Sequence, residues 1–243
     1  MALNSRITKS GASGFSLIEV LMALLVMLTI TASIFQMINT STQRSSTEQT
    51  KLDMFQEARE FMDQMTRDLR QAGYPNARNY APGILATPVI EDSRVAVGLV
   101  KIAVNELWFE GDVDGTGVVS VIHYYLDPST TNNCPCLKRS QLPKDPGDPY
   151  TGQTAPSYQV EVQGVTNTNI FSAYVNGTAQ TLPINISANA GTIAALDTIQ
   201  AVLSLQASTI DPKTRTKPTT SLVTTVRLNN CSLAASGQQT SCY

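Results

Sequence analysis

"GFSLIEVLMALLVMLTITASIFQMI", Gly14 to Ile38, is apolar apart from a few hydroxyls, Gln36 and one carboxylate, Glu19. At about 1.5 Å rise per residue, a helix from Phe15 to Ile38 is roughly 36 Å long, enough to cross a hydrocarbon core about 30 Å thick. A carboxylate in such a span costs about 2.5–3.5 kcal/mol on insertion scales, so Glu19 needs a partner. The preceding "MALNSRITKSGASG" carries Arg6 and Lys9 and no acid. That bias keeps this end cytoplasmic and sends the remainder outward, a single pass with N-in, C-out topology.

An ordinary secretory signal has an apolar core of about 7–15 residues followed by a small-residue cleavage site, and this run is too long for that. A cut between Gly14 and Phe15 removes the basic leader, keeps the apolar helix and creates an α-amine four residues before Glu19. In a packed array the amine of one subunit reaches the carboxylate of its neighbour, so that assembly neutralises a buried charge.

"KSGASGFSLIEVLMALLVMLTI", Lys9 to Ile30, resembles the class III signal of type IV pilins and type II secretion pseudopilins: basic leader, Gly at the cut, Phe next, Glu fifth in the mature chain. The resemblance implies that a prepilin peptidase cleaves after Gly14 and methylates the Phe15 amine, and that Glu19 guides docking. The implied partners are other minor and major pilins and the inner-membrane pilus assembly platform. Many major pilins break this helix with a proline, and this one has none. "AREFMDQMTRDLRQAGYP" (58–75), "LWFEGDVDGTG" (107–117) and "TTVRLNN" (224–230) are in turn similar to PilW-like minor pilins. The implied function is a minor pilin, a structural subunit that helps initiate or cap a type IV pilus in the bacterial inner membrane. The alternative is a minor pseudopilin of a type II secretion system.

With 243 residues, 42% hydrophobic and 15% charged, the chain has room for one membrane helix and one globular domain. The expected organisation is a cleaved leader (1–14), an assembly helix (15–38), its amphipathic continuation (39–73) and a periplasmic β-rich domain (74–243). Leu52, Phe55, Ala58, Met62, Met65 and Leu69 recur at spacings of three and four, drawing a stripe on a helix that stops near Gly73 and Pro75. From Ile84 onward the period becomes two. "VNELWFE" and "VVSVIHYYL" flank the turn-rich "GDVDGTG", and "YQVEVQ", "IFSAYV" before Asn176-Gly177, "TIQAVLSLQAS" and "SLVTTVRL" are further strands. One amphipathic helix followed by such strands predicts an α+β fold with the helix on an antiparallel sheet, type IV pilin-like if the resemblance holds. Segment 127–157 holds six of the 12 prolines and reads as a long surface loop.

No phosphate loop, nucleophile elbow or His-bearing metal motif is present, so the chain reads as no enzyme and needs no cofactor. The only histidine, His123, reads as structural. "KTRTK" (213–217) reads as a solvated loop tip. The formal charge is −2, and loss of Arg6 and Lys9 makes it more negative, which argues against nucleic-acid binding through a general basic field. Asp112 and Asp114 in "DVDGTG" form a weak calcium candidate beside the favoured reading, a plain turn. Four cysteines in an oxidising compartment favour disulfides. Cys231 and Cys242 enclose "SLAASGQQTS" and are the preferred bridge, worth about 3 kcal/mol by loop entropy. Cys134 and Cys136 are then joined to each other or left unpaired; cross-pairing of the two segments and a four-thiolate metal site are the competing readings.

Overall fold

The structure, a computed structural model, describes residues 14–130, 134–211 and 214–230, with the backbone of 232–233 and 239–241. One helix, α1, runs Leu17–Gln71. By compactness the chain divides after Glu48 into two units, each considered by itself.

In the first unit, helix residues are exposed on every side; Leu17, Ile18, Leu24 and Leu28 all stand more than half open. It is the one helix among the described residues long and apolar enough to cross a membrane.

The second unit begins with the rest of α1. Met54, Ala58, Phe61, Met62, Met65 and Leu69 are buried, while Leu52 (67% exposed) and Phe55 (44%) are not. The expected stripe is therefore right from Ala58 onward and misplaced before it. At about 100° per residue Leu52 lies nearly opposite Met54, and Met54 continues the buried line. The helix ends at Gln71, and Gly73 takes a positive φ of 81°.

The period-two pattern begins later than Ile84. Residues 76–98 are irregular, with short 3-10 turns at Ala77–Asn79 and Val89–Glu91. Asp92 organises this stretch by accepting from the N–H groups of Ala86 and Arg94 and from the Arg94 guanidinium. Then come β1 (Leu99–Ala103), β2 (Glu106–Gly111) and β3 (Ser120–Asp127). The β2–β3 hairpin is as expected, with Glu106 opposite Tyr125 and Gly111 opposite Ser120.

Segment 127–157 is a correction. "CLKRSQLP" forms β4 (Cys136–Pro143), an interior strand between β3 and β5 (Gln159–Gln163). The prolines bracket this strand rather than interrupt it: Pro128 and Pro135 precede it, Pro143 is its last residue, and Pro146, Pro149 and Pro156 follow. The donors at its centre remain free to pair on both sides. Loop geometry is confined to the flanks. In 144–158, Asp148 caps Tyr150 and Thr151, and Asp145 holds Thr154.

Next are β6 (Phe171–Val175), β7 (Thr178–Ala179) and β8 (Ile184–Asn185). Asn176 and Gly177, at φ 47° and 79°, make the tight β6–β7 turn anticipated from Asn-Gly. The helix α2 (Ile186–Ala194) was not expected; Asn185 caps it by accepting from the Ala188 N–H. β9 (Thr198–Gln206) and β10 (Thr219–Arg227) follow, then short β11 (Ser232–Leu233) and β12 (Gln239–Ser241). Burial on β9 alternates strictly, with Ile199, Ala201, Leu203 and Leu205 inward as expected.

All pairings are antiparallel. The sheets run β5-β4-β3-β2-β1-β8, β10-β9-β6-β7 and β11-β12. The buried face of α1 lies on the first, where Phe61 meets Tyr124 edge-on with ring centroids 5.5 Å apart. The coarse fold is thus α+β, a long apolar N-terminal helix followed by antiparallel sheets.

Candidate functional site

Gly14 precedes the helix in non-helical backbone, and a Cβ there would meet nothing within 4 Å. Phe15 is 82% exposed. Ser16 starts the helix, its carbonyl accepting from the N–H groups of Glu19 (2.9 Å) and Val20 (3.2 Å). Glu19 therefore sits in the first turn, where a negative side chain complements the helix dipole. Its neighbours Ile18, Val20, Leu21 and Met22 are apolar and open. Monomeric soluble proteins rarely expose so continuous an apolar surface.

Four hydroxyls in this half are bonded within the helix. Thr29 donates to the Val26 carbonyl, Thr31 to Met27, Ser33 to Thr29 and Thr40 to Gln36, all at 2.7–2.9 Å. With its hydroxyls already bonded within the helix, the segment suits a medium without water. Residues 1–13 of the expected leader lie outside the described residues.

The second unit encloses two ion pairs that sequence reasoning missed. Lys144 and Glu110 are both fully buried. The ammonium donates to Glu110 Oε2 (2.8 Å) and to the carbonyls of Val95 (2.8 Å) and Ile90 (2.9 Å), which uses its three donors. Burial pushes the Glu110 carboxyl up, and the Lys144 charge opposes that shift. The Val97 N–H adds a bond to the same oxygen. A pair so enclosed, with all ammonium donors spent on protein oxygens, ties β2 to segment 90–97 and offers no reagent a way in.

Asp68, on α1, accepts from Tyr124 Oη (2.7 Å) and Arg139 Nε (2.9 Å), and the Arg139 Nη2 lies 2.8 Å from the same carboxylate in an ion pair. Burial, then the Asp68 charge, raises the Tyr124 phenol well above its ordinary value, so it stays a donor. No sequence signal pointed to this arrangement, because Arg139 lies in segment 127–157, which reads as a loop.

His123 is buried on β3 with its ring 4.1 Å from that of Trp108. Burial, assisted by the charge of Lys101, pushes its pKa down to about 4. Its Nδ1 and the Trp108 Nε1 are buried and have no hydrogen-bond partner among the described residues. No hydroxyl, thiol or carboxylate bonds to this imidazole among the described residues.

Asp112 accepts from the N–H groups of Thr116 (3.0 Å) and Gly117 (2.9 Å), and Asp114 from Thr116 Oγ1 (2.7 Å). The Thr116 hydroxyl lowers the Asp114 carboxyl. These bonds are the work of a turn. Cys134 and Cys136 are joined in a disulfide, one of the two outcomes left open for them. Asp127 lies close to their sulfurs, but both sulfurs are spent on the bridge and Asp127 is paired with Lys138 at 2.6 Å. Cys231 and Cys242 lie outside the described residues, as does Lys213 of the basic run.

An open cleft of about 680 Å³ lies beside Met54, Glu57, Cys134, Gln163 and Lys217. Asp53 also lines it, and among the described residues no ion pair is formed between these acids and Lys217. Comparisons with protein-family models, with curated proteins and with solved structures found no match.

Proposed function

We propose that this chain is a minor pilin, a structural subunit that helps initiate or cap a type IV pilus after a prepilin peptidase cuts between Gly14 and Phe15 and methylates the new amine. The observation that carries the reading is one carboxylate, Glu19, in the first turn of a helix whose surrounding surface is apolar and exposed. A plain anchor gains nothing from that acid and bears its insertion cost. A subunit that packs beside others gains a neutralising contact with the Phe15 amine of a neighbour. In this reading the protein crosses the bacterial inner membrane once, N-in, with its second unit periplasmic, and enters the pilus beside other minor and major pilins on the inner-membrane assembly platform. The self-satisfied hydroxyls of Thr29, Thr31 and Ser33 support residence in lipid. The enclosed ion pairs of the second unit, Lys144 with Glu110 and Arg139 with Asp68, support a structural role.

Intact-mass analysis of the full chain co-expressed with a prepilin peptidase tests this. The expected mature chain begins at Phe15 and carries a methyl group on its amine, and substitution of Gly14 leaves the precursor uncut. An unprocessed chain, or a cut beyond residue 30, overturns the reading.

A further inference from the structure

The second sheet ends on β10, and the ladder shows which backbone groups that edge leaves over. The Ala207 N–H donates to the Pro218 carbonyl and the Leu228 N–H to the Asp197 carbonyl, both at 2.8 Å. Between them the register is continuous from Thr219 opposite Gln206 to Arg227 opposite Thr198. In an antiparallel ladder, alternate residues exchange both bonds with the partner strand. Even-numbered residues of β10 are therefore engaged with β9, and the N–H and C=O groups of Thr219, Ser221, Val223 and Thr225 point away from the sheet. The side chains of these four are exposed, Val223 at 60%. Natural edges are blunted by charge, proline, a bulge or a covering element. Across Thr219–Arg227 there is no proline and no register shift, and the single charge, Arg227, stands at the end of the strand.

We infer that this edge pairs antiparallel with β10 of a second copy, about a two-fold axis through Val223. The strand is centred on that residue: Val223 faces Val223, Ser221 faces Thr225, and Thr219 faces Arg227. β-branched and hydroxyl pairs of this kind favour cross-strand contact, and no like charges oppose each other in this stretch. The register also brings outward-pointing residues of one copy opposite outward-pointing residues of the other, so each facing pair exchanges two hydrogen bonds and the two four-stranded sheets become continuous. A single strand pair buries less than the roughly 1,200 Å² of stable complexes. The contact is accordingly weak between free molecules and gains from confinement, which raises effective concentration, when the apolar half of α1 holds both copies in one bilayer.

Cysteine cross-linking of the full-length chain in lipid vesicles tests the register. Directly facing, hydrogen-bonded residues lie about 5.5 Å apart at Cα, within disulfide reach. Two copies of Ser221 lie four residues out of register, about 13 Å apart. With copper-phenanthroline as oxidant, Val223→Cys, and a mixture of Ser221→Cys with Thr225→Cys, are expected to give a linked dimer at least ten-fold above three controls. These are the unsubstituted chain, Ser221→Cys alone, and Val160→Cys at another exposed position. Val223→Pro removes only an outward N–H, so it is expected to keep the β9 ladder and abolish the Ser221–Thr225 cross-link. Absence of the Val223 cross-link, equal linking through Ser221 alone, or a Ser221–Thr225 cross-link that survives Val223→Pro overturns the inference. If Val223→Pro fails to fold, the cysteine pattern decides by itself.

Discussion

His123 shows what burial does to one side chain. Its folded-state pKa of about 4 lies below the ordinary 6.5, because the imidazolium cannot be hydrated beneath Trp108 and beside Lys101. The unfolded chain therefore binds the extra proton first as pH falls. The stability associated with neutral His123 is complete above about pH 6.5 and is lost on descent toward pH 4, by about 3 kcal/mol in all. Thermal melts across that window are expected to drop steeply for the parent and less for His123→Phe; parallel curves would refute this. Arg139 makes the complementary case. Replacing it with Met leaves Asp68 buried with only the Tyr124 hydroxyl, and loss of one partner of a buried pair costs about 3–5 kcal/mol. Urea unfolding of Arg139→Met is expected to show that loss, and a change below about 1 kcal/mol would mean that the carboxylate finds water instead.

Among the elements, the end of α1 is held by closeness rather than charge. Ala72 forms a bridge with Gly111 of β2, and the Gly73 N–H donates to the Glu110 carbonyl at 2.9 Å. A Cβ on Gly111 would come within 2.5 Å of the Gln71 carbonyl oxygen. Backbone meets backbone there, so neither side can yield by a rotamer change. Gly111→Ala is expected to cost about 2 kcal/mol, lowering the midpoint by roughly 4–8 °C in calorimetry. A midpoint within a degree of the parent would show that the helix end can slide. Gly115, in open space within the β2–β3 turn, is the control for added bulk, although its positive φ adds a strain term of its own.

For the whole molecule, the two units divide the labour implied by the proposed function: one carries an apolar surface with a single acid, the other a closed core that encloses the Lys144–Glu110 and Arg139–Asp68 pairs. Glu19→Ala separates membrane residence from assembly. The substitution removes an insertion penalty of about 2.5–3.5 kcal/mol, so the variant is expected to fractionate with membranes at least as well as the parent. Co-purification with other pilins is expected to fall several-fold, because the neighbour's amine loses its counter-charge. A variant recovered in filaments as efficiently as the parent would sink the pairing argument.

Local periodicity made much of this protein legible. The apolar run with Glu19, the inward line from Ala58 to Leu69, the Asn176-Gly177 turn and the alternation of β9 each depend on residues a few positions apart. What escaped depends on distance along the chain. Lys144 meets Glu110 across 34 positions and Arg139 meets Asp68 across 71, and no spacing rule links such residues. β4 was hidden because six prolines dominate its segment, and only its neighbours β3 and β5 show that those prolines mark the strand's limits. The open edge of β10 is likewise a property of the assembled sheet: a strand's sequence states that it can pair, and only the tertiary arrangement decides on which side its hydrogen bonds are already spent.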